Sequence, residues 1–302
     1  MINIDQFTKK TLQRLNDEVY PGVNSRIVEI FLCGGISNKK KLSVRDVIRR
    51  DFEKKKYIRI MYPEDMFIEM LNTDKTADLM TLENFLASNS DYICIICESA
   101  GALVELGAFT NNQSIFEKVI AIIEDKKRRK KSFIMLGPVK LIGNKNKNQV
   151  IFYNKDNLNE LSNRLEAMFK IKHRTLQYKN KGSIREINSI IGLTYFIPIL
   201  LYFYNTIESD ILPLYLKYVF EYNNVTLKNK QFDTLYLSSL RLLFKDTFIE
   251  KQNDPRKNKK VYKLTEKGYI QVTNALYNAS IPKKTTLYDN IKFGIIRRNY
   301  YE

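Results

Sequence analysis

Short apolar runs alternate with amphipathic stretches over the first half of the chain. The runs are rich in β-branched and aromatic residues and end at glycine, proline or polar residues, which is typical of buried strands. They occupy residues 26–33, 57–62, 92–97, 119–123 and 150–153. Helical patterns follow a cap at Ser43 and cover residues 81–90, 102–110 and 156–172. Strands that alternate with helices predict an α/β fold with a parallel sheet that is covered on both faces.

The second half of the chain has a different pattern. Residues 190–204 form an apolar run that Gly192, Thr194 and Pro198 interrupt. We expect a buried helix and no membrane span, because the run is shorter than the roughly 20 residues that a bilayer requires. A helix, a strand, a basic turn, a returning strand and a helix capped by Thr265 are then expected at residues 232–246, 247–250, 252–260, 261–264 and from 265 onwards. This order predicts a mostly helical, winged-helix-like domain.

A polar stretch at residues 175–183 separates the two patterns. A chain of 302 residues exceeds the roughly 100–200 residues of a typical domain, so two domains are expected. We place an α/β domain at residues 1–174 and a winged-helix-like domain at residues 175–302, where it would bind nucleic acid or a protein partner.

The chain is strongly basic. Lysine and arginine number 50 against 33 aspartates and glutamates, which gives a net charge of +17. Such a surplus indicates a polyanionic partner, either nucleic acid or an anionic membrane surface, and a solvated surface without a partner is the alternative. The surplus is denser in residues 174–302, with 21 basic and 11 acidic residues, than in residues 1–173, with 29 and 22.

A cluster of basic residues lies on and beside the predicted hairpin of the second domain. Because it holds only one aromatic residue, Tyr262, it is expected to contact phosphates and not bases; a solvated loop is the alternative. The nucleic-acid-binding residues predicted here are Lys251, Arg256, Lys257, Lys259, Lys260 and Lys263. A second basic run, residues 126–131, offers contacts to the same polyanion or to the phosphates of a substrate.

The cysteines and the single histidine argue against a metal site. Cys94 and Cys97 form a C-x-x-C pattern, but it lies in a predicted strand, where residues three apart point to opposite faces. His173 is distant from both, so we expect no bound metal. Three cysteines without a preceding secretory segment favour a reducing, cytoplasmic location.

Three of the predicted strands end in polar or flexible segments. In a parallel sheet the carboxyl ends of the strands line the ligand-binding crevice, and small residues there let backbone N–H groups approach a phosphate. The residues predicted to bind substrate in this crevice are Gly34, Gly35, Glu64, Asp65, Glu98, Ser99 and Gly101. We therefore expect a nucleotide-like substrate, and no cofactor beside it.

Glu105 is the candidate nucleophile. It is expected within about the first turn of the helix that follows residues 98–101, so that its carboxylate could attack an anomeric carbon in the crevice. Stabilisation of the helix dipole is the alternative explanation for a glutamate at this position. Residues 59–118 favour catalysis, because ten acidic residues and one lysine lie between Arg59 and Lys118, and negative charge suits a cationic reacting centre.

Several segments together resemble a known family. They are IFLCGG at residues 30–35, YPEDMF at 62–67, LEN at 82–84, the stretch 98–112, SF at 132–133 and GPV at 137–139. In this order they resemble the nucleoside deoxyribosyltransferase-like effectors of bacterial retrons, in which a C-terminal winged-helix-like domain follows. The resemblance covers nearly the whole chain and is strongest at residues 29–141.

The resemblance implies that residues 1–174 are the catalytic domain of a toxic antiphage effector. Its partners would be a reverse transcriptase and the multicopy single-stranded DNA, joined to RNA, that this enzyme makes; they hold the effector inactive until a phage disturbs the complex. Glu105 matches the nucleophile of the family's Glu-Leu-Gly-Ala pattern, and Asp65 falls near its base-contacting carboxylate. Cys33-Gly34-Gly35 replaces the tyrosine-bearing turn of the metabolic transferases, so N-glycosidic hydrolysis of a nucleotide such as NAD is expected in place of base exchange.

A second function stays open: a DNA-binding regulator in which the α/β domain senses a nucleotide without catalysis. Such a sensor requires the crevice but no nucleophile. The oligomeric state also stays open, and a homo-oligomer or a larger assembly is compatible with the sequence.

Overall fold

The computed structural model describes residues 4–24, 27–38, 42–55, 57–62, 89–178, 185–254 and 258–301. The chain divides into two compact units. Residues 27–180 form one unit, and residues 1–26 together with 181–302 form the other. The boundary at residue 181 is near the expected one at 175, but the first 26 residues differ from the expectation, since they belong to the C-terminal unit.

The chain begins with a helical segment that the hydrophobic pattern did not reveal. It consists of α1 (Gln6–Arg14), a π-helical turn (Leu15–Val19) and α2 (Tyr20–Asn24). Asp5 caps α1, because its Oδ1 accepts a hydrogen bond of 2.9 Å from the backbone N–H of Thr8. Leu12, Leu15 and Val19 are fully buried, so this segment is part of a core.

Five parallel strands form the sheet of the α/β unit, in the order β2-β1-β3-β4-β5. They are β1 (Val28–Cys33), β2 (Ile58–Met61), β3 (Tyr92–Ile96), β4 (Val119–Glu124) and β5 (Val150–Tyr153). The register pairs Val28 with Ile58, Ile30 with Tyr92, Ile93 with Val119, and Ala121 with Val150. All five expected strands are present, and the predicted α/β fold with a parallel sheet is confirmed.

Helices connect these strands. They are α3 (Val44–Glu53), α4 (Ala100–Thr110), α5 (Gln113–Phe116), α6 (Lys140–Lys145) and α7 (Leu158–Tyr178), with 3₁₀ turns at Asp125–Lys127 and Lys147–Gln149 and a π-helical turn at Met135–Val139. Helices α3 and α7 share one core, in which the rings of Phe52 and Phe169 lie 5.3 Å apart. Since α3 and α4 connect strands in opposite directions along the sheet, right-handed crossovers place them on opposite faces. The helix expected at residues 81–90 lies almost entirely outside the described residues.

The C-terminal unit combines helices with a small antiparallel sheet in the order β6-β8-β7. Its elements are α8 (Ile190–Tyr204), β6 (Thr206–Glu208), α9 (Leu212–Tyr222), α10 (Asn229–Lys245), β7 (Ile249–Asp254), β8 (Lys259–Leu264), α11 (Glu266–Asn278) and α12 (Lys284–Tyr301). Helix α8 is buried almost throughout and packs mainly on α10. Over the described ranges, we find no helix with both the length and the apolar character needed to cross a membrane.

The hairpin of this unit is longer than expected. Residues 252–254 and 259–260 were expected in a turn, but they continue the two strands, and Asp254 pairs with Lys259. Strand β6 was not expected, because three residues are too few for a recognisable alternation; it pairs with β8. Lys259 and Lys260 therefore lie on a strand.

Candidate active site at the carboxyl ends of β1 and β3

The strand order places a crevice between β1 and β3. From β1 the chain crosses to β2 on one side, and it then returns to β3 on the other side of β1. The two connections leave the sheet in opposite directions, and ligands of open α/β sheets bind at such a reversal, outside the carboxyl ends of the strands. At this point β1 ends at Cys33 and is followed by Gly34, and β3 ends at Ile96 and is followed by Cys97 and Glu98.

Gly34 and Gly35 are packed against the neighbouring loop. A methyl group on Gly34 would lie 3.1 Å from Cβ of Arg45 and 3.3 Å from Cβ of Ile96. On Gly35 it would lie 3.2 Å from Cγ and 3.3 Å from Oε1 of Glu98. The structure therefore brings Gly34, Gly35 and Glu98 together, and larger residues at the two glycines would displace the Glu98 side chain or α3.

Glu98 carries a buried carboxylate oxygen that lacks a hydrogen-bond donor among the described residues. Its Oε1 is inaccessible to water and makes no hydrogen bond with the residues that the structure describes. Burial raises the pKa of nearby Tyr153, and the negative charge of Glu98 raises it further. A buried acceptor without a donor costs free energy, and a hydroxyl group of a bound ligand would satisfy it.

Helix α4 begins two residues earlier than expected. Ser99 is its N-cap, and Ser99 Oγ accepts a hydrogen bond of 3.2 Å from the backbone N–H of Ala102. Ala100 is consequently the first helical residue, so Glu105 lies in the second turn and not in the first, which corrects its expected position. Glu105 is half-buried and has partners of its own.

Gly101 leaves space beside Glu105. Side chains of a helix tilt toward its N terminus, and residues four apart share a face, so Glu105 extends toward Gly101 and the carboxyl ends of the strands. Gly101 is exposed, and a methyl group built on it would meet no atom within 4 Å. Among the described residues, no atom therefore occupies the space at Gly101 toward which Glu105 extends.

Lys127 adds a cation to this region. Its Nζ donates a hydrogen bond of 2.8 Å to the carbonyl oxygen of Cys97, at the end of β3. Lys127 belongs to the basic run 126–131, so the structure brings one residue of that run to the crevice. Substrate phosphates would find a positive charge there.

The acidic stretch 59–118 does not converge on the crevice as a whole. Asp91 precedes β3, where it accepts a hydrogen bond of 2.9 Å from the N–H of Glu29 and lies 3.5 Å from Nζ of Lys172. Glu117 precedes β4 and pairs with Lys145 at 2.6 Å. Both lie at the amino ends of their strands. Glu64 and Asp65 lie outside the described residues. Among the described carboxylates of this stretch, Glu98 and Glu105 are the ones placed to give the crevice the negative charge that the sequence predicted.

A cluster that joins the ends of β1 and β2 was missed. Asp46 accepts hydrogen bonds from the hydroxyl groups of Ser37 and Tyr62. The guanidinium groups of Arg45 and Arg49 lie 4.1 and 4.6 Å from the centre of the Tyr62 ring. Burial alone would raise the pKa of Asp46, but hydrogen bonds from Ser37, Tyr62 and Ser43 outweigh it and hold that pKa below its usual value.

The sequence offered only a local signal for this cluster. Ser43 and Asp46 formed the expected cap of α3, and Ser43 Oγ accepts a hydrogen bond of 3.2 Å from the N–H of Asp46. The bond from Tyr62, 16 residues away, depends on the packing of β2 beside β1. Because Arg45 also contacts Gly34, the cluster supports one wall of the crevice.

The fold buries the three cysteines and separates the side chains that could bind a metal in the described residues. Cys33, Cys94 and Cys97 are buried free thiols, and burial raises the pKa of Cys97 to about 12. In the part of the chain that the structure describes, no three histidine, cysteine, aspartate or glutamate side chains converge as metal ligands would.

The predicted nucleic-acid-binding lysines are largely engaged within the protein. Lys259 pairs with Glu208 at 2.5 Å, and Lys263 pairs with Glu250 at 2.8 Å. Lys251 lies 5.3 Å from the centre of the Tyr262 ring. Lys260 is exposed, whereas Arg256 and Lys257 fall outside the described residues.

The chain is similar to proteins of bacterial retrons. It is 38% identical over 143 residues to an Escherichia coli protein named "Retron Ec86 putative ribosyltransferase/DNA-binding protein". These 143 residues are 47% of this chain and 46% of the relative. It is 30% identical over 118 residues, 37% of each chain, to the Escherichia coli protein of retron Ec73 that carries the same description. The chain thus spans less than half the length of the curated relatives it matches.

The model of the STM3845 retron effector protein family matches residues 41–251. These residues include α3, strands β2 to β5, Glu98 and Glu105 of the crevice, and the C-terminal unit from its first helix to the start of β7; β1, Gly34 and Gly35 precede the matched region. Because the match extends over 211 of the 302 residues, the chain belongs to the STM3845 retron effector family.

Proposed function

We propose that this chain is the toxic effector of a retron antiphage system and that it hydrolyses the N-glycosidic bond of a nucleotide, with NAD as the first substrate to test. The observation that carries the proposal is Glu105 on α4, extending toward the open space at Gly101 and the crevice between β1 and β3. The word ribosyltransferase in the names of both relatives supports glycosyl chemistry.

The proposed reaction has two steps. A carboxylate oxygen of Glu105 attacks C1′ of the sugar, and the base leaves with the electron pair of the C1′–N bond. Nicotinamide departs from NAD as a neutral molecule, so it needs no proton. Water then attacks C1′ of the glycosyl ester, a C1′–OH bond forms, and Glu105 leaves as a carboxylate. Glu98 accepts the proton of that water or holds a sugar hydroxyl group.

The remaining residues of the crevice bind and orient the substrate. The free N–H groups at the start of α4, near Ser99 and Gly101, and the Lys127 ammonium group suit the phosphates. Gly34 and Gly35 leave room for the side chains of Arg45 and Glu98 and are proposed to contact the substrate through their backbone. Glu64 and Asp65 stay proposals as contacts to the base. No step of this reaction requires a metal ion or a further cofactor.

The C-terminal unit is proposed as a winged-helix, nucleic-acid-binding domain. Its order α8-β6-α9-α10-β7-β8, with an antiparallel three-stranded sheet, supports this assignment, with α10 as the groove helix and the hairpin β7–β8 as the wing. Lys251, Lys259, Lys260 and Lys263 of the wing would contact phosphates, together with Arg256 and Lys257. The proposed partners are the retron reverse transcriptase and its multicopy single-stranded DNA, which restrain the effector until a phage disturbs the complex.

A larger assembly is also proposed. Val104, Phe133 and Leu136 of the α/β unit are 72%, 85% and 60% exposed. Large apolar side chains at such exposure favour burial against a further copy of the chain or another component.

Replacing Glu105 tests the enzyme proposal. Glu105→Gln is nearly isosteric, so the fold should persist, while release of free nicotinamide from NAD should fall by roughly 10³-fold or more, as for the loss of other catalytic nucleophiles. Toxicity on expression should disappear with it. Glu98→Gln serves as the comparison. This variant should lose less base-release activity, because nicotinamide departs without a proton and its departure therefore needs no acid at Glu98.

The same assay separates the enzyme from a nucleotide-sensing, DNA-binding regulator. The regulator is supported by the winged-helix order and by the DNA-binding description of the relatives. Full release of base by a folded Glu105→Gln protein, or no release by the wild type from NAD or nucleoside monophosphates, would favour it. Binding of one operator sequence by the C-terminal unit would point the same way.

A further inference from the structure

The α/β unit carries its own basic surface, at the edge of the sheet formed by β4 and β5. Residues 118–155 contain 11 basic and 2 acidic residues. This excess lies on the opposite side of the sheet from β1 and β2. It also differs from the wing in how many of its cations are paired with carboxylates.

Five of the eleven basic residues of this basic edge are free to bind a ligand. Arg129, Lys130, Lys131, Lys140 and Lys147 are exposed, and their side chains form no hydrogen bond or ion pair with the residues that the structure describes. Two of the four described wing lysines, Lys259 and Lys263, are instead paired with Glu208 and Glu250. Three other cations of the edge, Lys126, Lys145 and Lys155, are paired with Glu124 or Glu117, so phosphates would have to displace carboxylates there but not at the five exposed residues.

A cavity of about 510 Å³ opens within this surface. Its lining includes three cations, two carboxylates and an aromatic ring: Arg128, Lys147, Arg164, Asp125, Glu160 and Phe152. The volume falls within the roughly 300–1,000 Å³ of small-molecule sites, so one nucleotide unit can enter. The basic run 126–131 and residues 140–147 extend beyond the cavity.

Phe152 provides a stacking surface in the cavity. Along β5 Ile151 and Tyr153 are buried in the core, so the alternate residues Val150 and Phe152 face the cavity. The Arg128 guanidinium lies 4.8 Å from the centre of the Phe152 ring. Arg164 Nη1 donates a hydrogen bond of 3.4 Å to the Phe152 carbonyl oxygen. A flat guanidinium over a ring is a platform on which a base can stack.

We propose that this basic edge binds single-stranded nucleic acid. One unstacked base enters the cavity and stacks on Arg128 and Phe152, while its exocyclic amino group donates to Asp125 or Glu160. The phosphates on either side contact Lys147, Arg164 and the basic run. The two carboxylates can accept hydrogen bonds from the amino group of a base, whereas they would repel a bare phosphate. The cavity therefore favours a nucleotide unit over inorganic anions.

The geometry favours a single strand over a duplex. In a duplex the bases are paired and stacked, so none can enter a cavity without first being flipped out. A free mononucleotide would use the cavity but leave the cations beyond it without a partner. The proposal is independent of the glycosidic reaction, since Arg128, Phe152, Lys147 and Arg164 lie outside the crevice at β1 and β3, and Lys127 of the basic run is left unchanged in the test.

Two matched variants of the full chain test the proposal. The edge variant carries Arg128→Gln, Lys147→Gln and Arg164→Gln, and the wing variant carries Lys251→Gln, Lys260→Gln and Lys263→Gln, so that each loses three positive charges. Fluorescence anisotropy would measure binding of a labelled single-stranded oligonucleotide of mixed sequence and of a hairpin duplex, over a series of salt concentrations.

The edge variant should bind the single strand at least about tenfold more weakly at 0.1 M salt, and the slope of log K against log salt should fall by about 2. Its duplex binding and its release of base from NAD should match those of the wild type. Phe152→Leu should weaken single-strand binding at least about fivefold and leave the salt slope unchanged, because it removes stacking but no charge.

Three results would overturn the proposal. The first is a loss of single-strand affinity in the wing variant as large as in the edge variant, which would indicate a general effect of charge. The second is wild-type single-strand binding by a folded edge variant. The third is displacement of the oligonucleotide by AMP at an equal concentration of phosphate groups, which would identify a site for free nucleotides. Failure of the glycosidase itself would show in the release of base from NAD alone.

Discussion

Gly101 and Gly107 lie on the same helix, α4, and a methyl group at either position would meet no atom within 4 Å. Only Gly101 shares a helix face with Glu105. We therefore propose that a ligand approaches the carboxylate through the space at Gly101 and not through the space at Gly107.

Alanine at the two positions should separate stability from activity. Gly101→Ala and Gly107→Ala should both leave the free energy of unfolding unchanged or raise it by up to about 1 kcal/mol, because alanine loses less backbone entropy in a helix. Gly101→Ala alone should lower kcat/KM for base release, by roughly tenfold, since its methyl group narrows the approach to Glu105. Urea denaturation and the base-release assay check both effects; equal activities of the two variants would contradict the proposed path.

At the residue scale, the sequence predicted where the candidate residues lie relative to the strands better than it predicted their contacts. Gly34, Gly35, Glu98, Ser99 and Gly101 were expected at the carboxyl ends of strands, and they lie at those ends. The turn of Glu105 was predicted wrongly, because the pattern did not show that Ser99 caps α4. The Asp46 hydroxyl cluster could not be predicted, since its bonds depend on the side-by-side placement of β1 and β2.

Two elements of the α/β unit are joined at Glu166, on α7. Glu166 Oε1 accepts hydrogen bonds from Lys170 at 2.9 Å, Lys55 at 3.0 Å and the hydroxyl group of Tyr57 at 3.2 Å. Hydrogen bonds from Lys170 and Lys55 lower the pKa of Glu166 to about 2. This site therefore ties the segment between α3 and β2 to α7.

The depressed pKa has a definite consequence for stability. A carboxylate whose folded pKa lies below its unfolded value of 4.5 stabilises the fold above that pH, and the contribution is lost as the pH falls toward 2. Glu166→Gln should therefore lower the free energy of unfolding by about 1 kcal/mol at pH 7, as for partly exposed ion pairs. Below pH 3 it should make little difference. Urea denaturation of both proteins at pH 7 and pH 3 tests this, and an equal difference at both would refute it.

At the element scale, burial decided what could be predicted. The strands of the parallel sheet were found because β1 and β4 are buried on both faces and read as continuous apolar runs. Strand β6 was missed because it has three residues, and the hairpin was shortened because residues 251–254 and 259–260 are polar and mostly exposed. Helices α1 and α2 were missed because a sparse set of apolar residues in a polar segment did not stand out.

At the scale of the whole molecule, residues 4–24 complete the C-terminal unit. The hydroxyl group of Tyr20 donates a hydrogen bond of 2.8 Å to the carbonyl oxygen of Arg185, and Asn24 Nδ2 donates one of 2.9 Å to the same oxygen. Arg185 in turn donates to the carbonyl oxygen of Asn24 at 2.7 Å. The α/β unit is thus inserted between Asn24 and Arg185. The sequence could not show this, because the contact joins residues 161 positions apart.

Truncation tests the insertion. A fragment of residues 175–302 should fail to unfold cooperatively, because it exposes the core that Leu12, Leu15 and Val19 cover in the intact chain. Each lost side chain costs about 1.5–3 kcal/mol, and a domain has only about 5–15 kcal/mol in reserve. Residues 1–24 joined by a short linker to residues 185–302 should fold. Thermal unfolding followed by circular dichroism distinguishes them; a cooperative transition of similar Tm in both fragments would contradict the account.

The covalent intermediate on Glu105 is the central claim, and mass spectrometry tests it most directly. A nucleotide with fluorine at C2′ destabilises the cationic transition states and slows hydrolysis of the glycosyl ester, so the intermediate should accumulate. After incubation and proteolysis, the account predicts one fluoroglycosyl group on the peptide that contains Glu105, and none in Glu105→Gln. Turnover of NAD by the wild type without any adduct, or an adduct on Glu98, would contradict it.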